Sequence, residues 1–430
     1  MLTTRLTTRT TRTTRTTRNK YLTILHNTRV TNPQSDRNSM YHLYLFLFIT
    51  YSILPFTSSC PQAQIAWQAS TLMINKTSQG ALDNIYGLED GIVIRREDKS
   101  LMMIASEMYG SPKWVKMRLG VWQAPYLDPL NWTRVRSLRI SDASFDGSSL
   151  HSSSWGPFLV YDPDNNTWVL SYVGYRGAPS NSSGWLENFQ GTIFAHPASA
   201  QGDAGLDTTF NDSANFTTDT IVLEPSDWHI NGPWPHPCQG LQGTDSMYPY
   251  RLNNGTWAAL VGTSHQESDN QFGAGKWPVS LATSPALAGP WTRFNPTGGD
   301  PANSPCVDIN GGYTENPVVS NRPDDLSTFH AVYDNLGGES IGFGYVCSED
   351  GINWEKGSVV KTPGGCRTPF GLVPLDSSEI ELFTPLILSY GIINATQLAN
   401  GNSSLQWSFY TQNDSDGWES FVASITYLSW

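Results

Sequence analysis

The sequence predicts an all-β fold, a five-bladed β-propeller with four antiparallel strands in each blade. Three observations lead to this prediction. Aromatic residues make up 12% of the 430 residues, charged residues only 15%, and the chain holds 37 glycines and 27 prolines. Short aromatic and β-branched runs alternate with Gly, Pro, Asn and Asp turn signals, a pattern typical of sandwiches, barrels and propellers. The body shows no sustained helical apolar period, so we expect little helix.

Five similar units follow one another in the body, residues 64–430, which we expect to form one propeller domain. Each unit begins with an alternating apolar run that ends in a turn, and a polar loop with a tryptophan comes later. The first strands begin near residues 86, 154, 243, 311 and 366, which leaves room for four strands per blade. We place the whole fifth blade in the C-terminal segment, with one strand in IELFTPLILSYGI.

Two kinds of turn support the division into blades. Asp-Asn-Asn-Thr at 164–167 and Asn-Asn-Gly-Thr at 253–256 lie between β-runs, where Asn and Gly supply the positive φ of tight hairpins. The segments SPALAGPW and SEDGINW each place a polar turn shortly before a tryptophan. We expect these tryptophans to pack between neighbouring sheets.

The first 59 residues differ from the body. Residues 1–39 form a Thr/Arg-rich extension with too little apolar content to fold, so we expect them to be disordered. Residues 40–59 contain the apolar run Tyr41–Phe56 followed by small residues, as in a secretory signal peptide. An uncleaved signal anchor and an Arg/Thr-rich transit peptide are the alternatives. The signal peptide predicts a secreted, extracellular protein.

The charge of the body narrows the class of partner. Residues 1–59 hold eight of the 26 basic residues and one of the 38 acidic residues, so the rest of the chain carries a net charge of −19. Such a surface repels nucleic acid and anionic membranes. We therefore expect a neutral carbohydrate partner, no nucleic acid and no membrane after signal removal. We also expect a monomer.

Sequons and cysteines agree with secretion. Asn-x-Ser/Thr sequons spread over the body predict N-glycosylation. Cys60 lies at the cleavage region, and the other four cysteines can form disulfides in three ways that the sequence leaves open. The sequons begin at Asn75, Asn131, Asn165, Asn181, Asn211, Asn215, Asn254, Asn394, Asn402 and Asn413, and the four cysteines are Cys238, Cys306, Cys347 and Cys366.

Three carboxylates occupy equivalent positions at the starts of predicted first strands. They are Asp90 in LEDGIVI, Asp245 in GTDSMYPY and Glu315 in GYTENPVV. The first strand of each propeller blade lines the central channel, so these side chains can converge at one mouth although they are far apart in sequence. Each also has an ordinary alternative, a turn or strand-start hydrogen bond for the two aspartates and a buried partner for the glutamate.

With these motifs the chain resembles glycoside hydrolase family 43 over most of residues 85–375. SPALAGPW and SEDGINW are similar to the family's outer-strand motifs. The resemblance implies that Asp90 is the general base, that Asp245 orients the acid and adjusts its pKa, and that Glu315 is the general acid. This chain departs from the family where Gly follows Asp90 instead of Pro and where Asn316 replaces the usual Gly or Ala. Glu89 is a rival for the base, because adjacent strand residues face opposite ways.

The resemblance implies hydrolysis with inversion of neutral polysaccharides, with arabinofuranosides or xylosides the commonest substrates. Inversion needs one ionised and one protonated carboxyl about 6.5–9.5 Å apart. A neighbouring aspartate would raise the pKa of the glutamic acid, because like charges disfavour ionisation. Further substrate contacts are expected at Trp155, Arg176, Tyr313 and His330, and the resemblance adds Arg367. The alternative is packing for Trp155, Arg176 and Tyr313, and a surface or core histidine for His330.

Other functions receive less support from the sequence. It contains no phosphate-binding Gly loop and no zinc motif, so we expect no cofactor and no catalytic metal. A structural ion in the central channel is an open alternative. A catalytically inactive propeller that binds glycans or a protein is the main alternative. A retaining fructan-active enzyme is disfavoured because its W-x-N-D-P and R-D-P patterns are absent, and a sialidase because there is one Asp-box-like segment, 348–354.

Overall fold

The computed structural model divides the chain into two compact units, Met1–Thr57 and Ser58–Trp430. All described residues belong to the second unit, so the predicted extension and signal peptide lie outside them. For some strand residues the structure describes the backbone but not the side chain. The structure describes residues 64–74, 87–108, 116–125, 128, 131–138, 149, 151, 153–179, 186–210, 219–223, 241–265, 279–293, 315–322, 325–334, 343–354, 358–360, 368–375, 403–413 and 419–429.

Strands account for nearly all the regular structure of the described residues. Helix is confined there to one turn, α1 (Gly202–Gly205), and the π-helical turn Leu206–Phe210 that follows it. The strands are β1 (Gln64–Ile74), β2 (Gly87–Arg95), β3 (Leu101–Met108), β4 (Met117–Ala124), β5 (Thr133–Ser137), β6 (Ser153–Asp162), β7 (Thr167–Pro179), β8 (Leu186–Pro197), β9 (Thr220–Leu223), β10 (Leu241–Arg251), β11 (Trp257–His265), β12 (Val279–Ser284), β13 (Thr292–Arg293), β14 (Glu315–Arg322), β15 (Asp325–Asp334), β16 (Phe343–Ser348), β17 (Ser358–Val360), β18 (Thr368–Leu375), β19 (Ser403–Asn413) and β20 (Glu419–Ser429).

The described strands form five four-stranded sheets in which all neighbouring strands pair antiparallel. Four sheets are simple meanders of consecutive strands: β2 to β5, β6 to β9, β10 to β13 and β14 to β17. The predicted all-β class, antiparallel pairing and four strands per unit are therefore confirmed. The first strands of the five sheets begin at Gly87, Ser153, Leu241, Glu315 and Thr368, close to the predicted starts.

The fifth sheet differs from the prediction. Its order is β18, β19, β20 and β1, so the outer strand comes from the beginning of the body and pairs with the last strand of the chain. Gln64 lies opposite Ser429. The prediction that the C-terminal segment supplies the whole sheet is wrong, because β20 offers a free edge that β1 fills. The segment IELFTPLILSYGI, predicted as a strand, lies outside the described residues.

The first strands of the sheets contact one another. β2 contacts β6 and β18, β10 contacts β6 and β14, and β14 also contacts β18. Apolar side chains fill the spaces between adjacent sheets, as in the cluster of Tyr250, Leu260, Phe329 and Val346 from the third and fourth sheets. Burial of such side chains contributes about 1.5–3 kcal/mol each relative to exposure.

The two predicted tryptophan turns join neighbouring sheets. Trp291 is 3% exposed, and its backbone N–H donates to the carbonyl of Val222 in β9 of the second sheet at 3.1 Å. Trp354 packs edge-on against Tyr250 of the third sheet, with ring centroids 6.0 Å apart. The hydroxyl of Tyr250 donates to the Gly351 carbonyl of the same turn at 2.5 Å. The tryptophans therefore pack between sheets, as the sequence predicts.

Each first strand breaks register with its neighbour at an equivalent place, and the residues skipped there mark a β-bulge. A bulge adds an unpaired residue, bends the strand and re-aims its side chain. The bulges lie near the starts of the strands, on the side from which each first strand enters its sheet. The skipped residues are Asp90 in β2, Gly156 and Pro157 in β6, Asp245 in β10, Asn316 and Pro317 in β14, and Phe370 in β18.

A close contact between the first and fifth sheets generates the first prediction. A Cβ on Gly91 would lie 2.5 Å from the ring of Phe370 and 2.8 Å from the Ile104 carbonyl oxygen. We expect Gly91→Ala to lower the free energy of unfolding by about 1–3 kcal/mol, since overpacking forces the strands apart. Urea unfolding followed by tryptophan fluorescence measures the loss.

The double variant Gly91→Ala/Phe370→Ala is the control. Because the two positions touch, its loss should be smaller than the sum of the two single losses. Strictly additive losses would show that the ring of Phe370 does not limit the space at Gly91.

Candidate functional site

Asp90 lies at the bulge of β2 with φ of +36°, a left-handed conformation that is uncommon outside glycine. Its side chain is buried, with 4% of the residue exposed. The side-chain amide of Asn316 donates to Asp90 Oδ1 at 2.5 Å, although the two residues are 226 positions apart in the chain. This hydrogen bond joins the bulges of the first and fourth sheets.

Asn316 also lies in the left-handed region, with φ of +48°, and is 2% exposed. Asparagine is one of the few residues other than glycine that tolerate this conformation, which explains why it can occupy this position of the bulge. Its Oδ1 has no hydrogen-bond partner among the described residues. The Asn316 side chain therefore donates to Asp90 through Nδ2, and its Oδ1 is a buried acceptor.

Two further contacts connect the bulge of β2 to its neighbours. The hydroxyl of Ser106 in β3 donates to the Asp90 carbonyl at 3.2 Å and accepts from the backbone N–H of Gly156 at 3.0 Å. The ring of Phe370 fills the space beside Gly91. The bulge at Asp90 thus contacts bulge residues of the second, fourth and fifth sheets.

Asp245 and Glu315 lie at the corresponding places of their own strands. Asp245 is skipped at the second of two register breaks in β10. Glu315 opens β14 directly before the skipped Asn316, opposite Asp334. The structure describes the backbone of these two residues but not their side chains. The same holds for Glu89, which pairs with Ser106 in the ladder. The catalytic roles of Asp90, Asp245 and Glu315 stay predictions.

The predicted substrate contacts fall in different places. Trp155 is 5% exposed in a hydrophobic core, and its indole N–H donates to Ser153 at 2.6 Å. His330 is 1% exposed in β15, with its Nδ1 2.7 Å from the Tyr345 hydroxyl. Both positions fit packing better than the wall of an open cleft. Arg176 lies in β7 with its side chain not described, and Tyr313 and Arg367 lie outside the described residues.

Glu107 is a buried carboxylate that the sequence analysis missed. Both of its oxygens accept from Arg134 at 2.9 Å, and the indole of Trp122 donates to it at 3.1 Å. Burial raises the pKa of Glu107, while the hydrogen bonds from Arg134 and Trp122 act in the opposite direction. A glutamate inside the apolar run LMMIASEM was the available signal. The ion pair with Arg134 joins β3 to β5 within the first sheet.

A second group of titratable residues lies on the second sheet. Asp219 contacts His196 Nδ1 at 2.8 Å, His151 Nε2 at 3.7 Å and the hydroxyl of Tyr172. Burial would raise the pKa of Asp219, but the hydrogen bonds from the two histidines and the tyrosine outweigh it and hold the pKa below its usual value. Burial and the adjacent Asp219 carboxylate raise the pKa of Tyr172 well above its usual value. No local motif marks this group in the sequence.

Among the described residues, no group of three or more His, Cys, Asp or Glu side chains is arranged to hold a metal ion. In that same part of the chain, no helix is long and apolar enough to cross a membrane.

The fold is similar to solved glycoside hydrolase structures, whereas no family model and no curated protein matches the chain. A structure named a glycoside hydrolase is 10% identical, with a TM-score of 0.50, over 91% of this chain and 96% of that one. The chain shares that fold. A family 117 glycoside hydrolase of the marine bacterium Zobellia galactanivorans is 11% identical (TM-score 0.49, 84% of this chain and 90% of that one). An α-L-arabinofuranosidase from Lactobacillus brevis is also 11% identical (TM-score 0.43, 82% and 93%).

The contact between Asn316 and Asp90 generates the second prediction. Asn316→Gly removes the amide but keeps the left-handed backbone, and we expect it to cost about 1.5–3 kcal/mol of unfolding free energy, as for hydrogen bonds to charged groups. Asn316→Ala removes the same amide and adds the strain of a positive φ, so it should be about 1 kcal/mol less stable than the glycine variant. Urea unfolding compares the two, and equal stabilities would contradict the strained backbone.

The pKa of Asp219 generates the third prediction. Because this pKa is lowered on folding, the ionised carboxylate stabilises the fold above pH 3.8, its usual value, and this contribution is lost as the pH falls further. We expect Asp219→Asn to cost about 1–3 kcal/mol at pH 7 through its lost partners, and the difference from the unsubstituted protein to shrink as the pH falls below 3.8. Unfolding free energies measured from pH 7 to pH 3 test this, and a difference independent of pH would refute it.

Proposed function

We propose that the chain is a secreted glycoside hydrolase built on a closed five-bladed β-propeller. The observation that carries this proposal is the hydrogen bond from Asn316 to Asp90, because it places Asp90 beside the residue that follows Glu315. Five four-stranded sheets, mutual contacts between their first strands and the fold shared with a glycoside hydrolase support a closed ring of blades.

Asp90 acts as the general base and Glu315 as the general acid, with Asp245 orienting the acid. The two strands that carry Asp90 and Glu315 meet at their bulges, and Asp245 lies at the equivalent bulge of the third sheet. An amide N–H donated to a carboxylate favours its ionised form, which is the form a base requires. The Asp90 base activates a water, Glu315 donates its proton to the leaving oxygen, and inversion results if the carboxyl groups lie about 6.5–9.5 Å apart.

The substrate is a neutral polysaccharide or oligosaccharide, with arabinofuranosides or xylosides favoured. The resemblance to family 43 supports these sugars. The net charge of −19 on the body disfavours polyanionic substrates, since a like-charged surface lowers their local concentration.

Secretion, N-glycosylation and disulfide formation belong to the same proposal. The sequence supports them through the hydrophobic segment in residues 40–59 and the ten sequons. Cys347 is buried in β16 and disulfide-bonded in this structure, which agrees with an oxidising compartment.

A catalytically inactive binding propeller is the second candidate. The burial of Asp90 favours it, because only 4% of that residue is exposed and Asn316 already occupies one of its oxygens. A general base must reach a water in the site.

Hydrolysis assays decide between the two candidates and form the fourth prediction. The protein and its variants are incubated with a panel of aryl glycosides and with arabinan, xylan and their oligosaccharides. Glu315→Gln and Asp90→Asn should each lose at least about 10² of the rate, the usual contribution of a general acid or base. The exposed residues Glu97 and Asp128 provide the matched controls Glu97→Gln and Asp128→Asn, which should retain the full rate.

Proton NMR of the first product anomer tests inversion on any substrate that is cleaved. A folded, glycosylated protein that cleaves nothing on the panel but binds an oligosaccharide in calorimetry would establish the binding propeller instead. Activity that survives both site substitutions would show that other residues perform the reaction.

A further inference from the structure

The first three sheets have two chemically different ends. In each, the first strand starts at the end that carries the bulge and runs to a hairpin at the other, which we term the bulge end and the hairpin end. Arg95 pairs with Leu101, Asp162 with Thr167, and Arg251 with Trp257, so short turns close the hairpin ends. From bulge to turn the strands run five or six residues, about 16–20 Å at about 3.3 Å per residue.

Direct contacts place the three hairpin ends side by side. Arg251 of the third sheet forms an ion pair with Asp164 in the hairpin turn of the second sheet, with Nη2 2.7 Å from Oδ2. Arg96, after β2, forms an ion pair with Asp207 at 2.7 Å. The one-turn helix α1 before Asp207 is joined to the second hairpin through Gly202 N–H and the Asn166 carbonyl at 2.8 Å.

Three sequons lie at this end with exposed asparagines. Asn165 and Asn254 stand in the hairpin turns of the second and third sheets, and Asn131 stands in the connection from β4 to β5. That connection lies at the same end as the first hairpin, because Leu101 pairs with Ala124 and Thr133 pairs with Gln123.

The local contacts of these asparagines leave room for a modified side chain. Asn254 Oδ1 accepts from the Thr256 N–H at 2.9 Å, so its amide nitrogen is not used in that bond. Asn165 donates from Nδ2 to Asp162 at 2.7 Å. An asparagine amide carries two N–H donors, so one remains for this bond after a sugar replaces the other hydrogen.

We propose that Asn131, Asn165 and Asn254 all carry N-glycans, which cover the hairpin end of the first three sheets. This inference rests on the proposed secretion and is independent of the proposed hydrolysis. In the secretory pathway the asparagine Nδ2 forms a bond to C1 of a lipid-linked diphospho-oligosaccharide. The bond from C1 to the phosphate oxygen breaks, the lipid diphosphate leaves, and Nδ2 releases one proton.

Glycan mapping of the full chain secreted from a eukaryotic host tests the proposal and is the fifth prediction. Enzymatic release with peptide N-glycosidase in ¹⁸O-water converts each occupied asparagine to a labelled aspartate, which peptide mass spectrometry locates. We expect label at all three positions. Thr133→Ala, Thr167→Ala and Thr256→Ala should each remove one glycan, and the triple variant three, while the matched Thr→Ser variants should keep them because serine preserves the sequon.

Other results would overturn the inference in separable ways. Secreted protein labelled at other sequons but at none of these three would refute the glycosylated hairpin end while secretion stands. A chain that enters the secretory pathway neither in full nor when started at Met40 would refute this inference together with secretion. Neither result depends on enzymatic activity, so an inactive but correctly glycosylated protein would leave this inference supported and the proposed hydrolysis rejected.

Discussion

The break in register near the start of each first strand is the constraint on which the centre of the structure depends. A regular strand points alternate side chains to opposite faces, so a residue that must reach a neighbouring sheet needs a local bend. At the bulges Asp90 meets Asn316, Ser106 meets Gly156, and the ring of Phe370 fills the space over Gly91. These contacts tie the first sheet to the second, fourth and fifth sheets near the bulge at Asp90.

The buried carboxylates of the described residues have different partners, and the partners distinguish their roles. Glu107 pairs with a bidentate arginine, which offsets part of its desolvation. Asp219 is surrounded by two histidines and a tyrosine. Asp90 accepts a hydrogen bond from the neutral side-chain amide of Asn316. The Asn316 amide adds no positive charge beside Asp90, whereas Arg134 places one beside Glu107.

The two ends of the sheets divide the proposed functions between them. The bulge end carries Asp90 and the strand positions of Asp245 and Glu315, whereas the hairpin end carries ion pairs, Asn-rich turns and exposed sequons. The antiparallel meander causes this separation, because every first strand enters at one end and turns at the other.

Local signals in the sequence determined the class of fold, the starts of the first strands and the hairpin turns, where Asn166 and Gly255 do adopt positive φ. They also placed the tryptophan turns, since alternation, turn residues and aromatic anchors act over a few residues. Only the tertiary structure decided that β1 completes the last sheet, that Arg134 pairs with Glu107, and that Asn316 holds Asp90. These contacts join segments that are far apart in the chain, and they are brought together only when the sheets fold. Such pairing leaves no periodic pattern in the sequence, so local signals do not predict it.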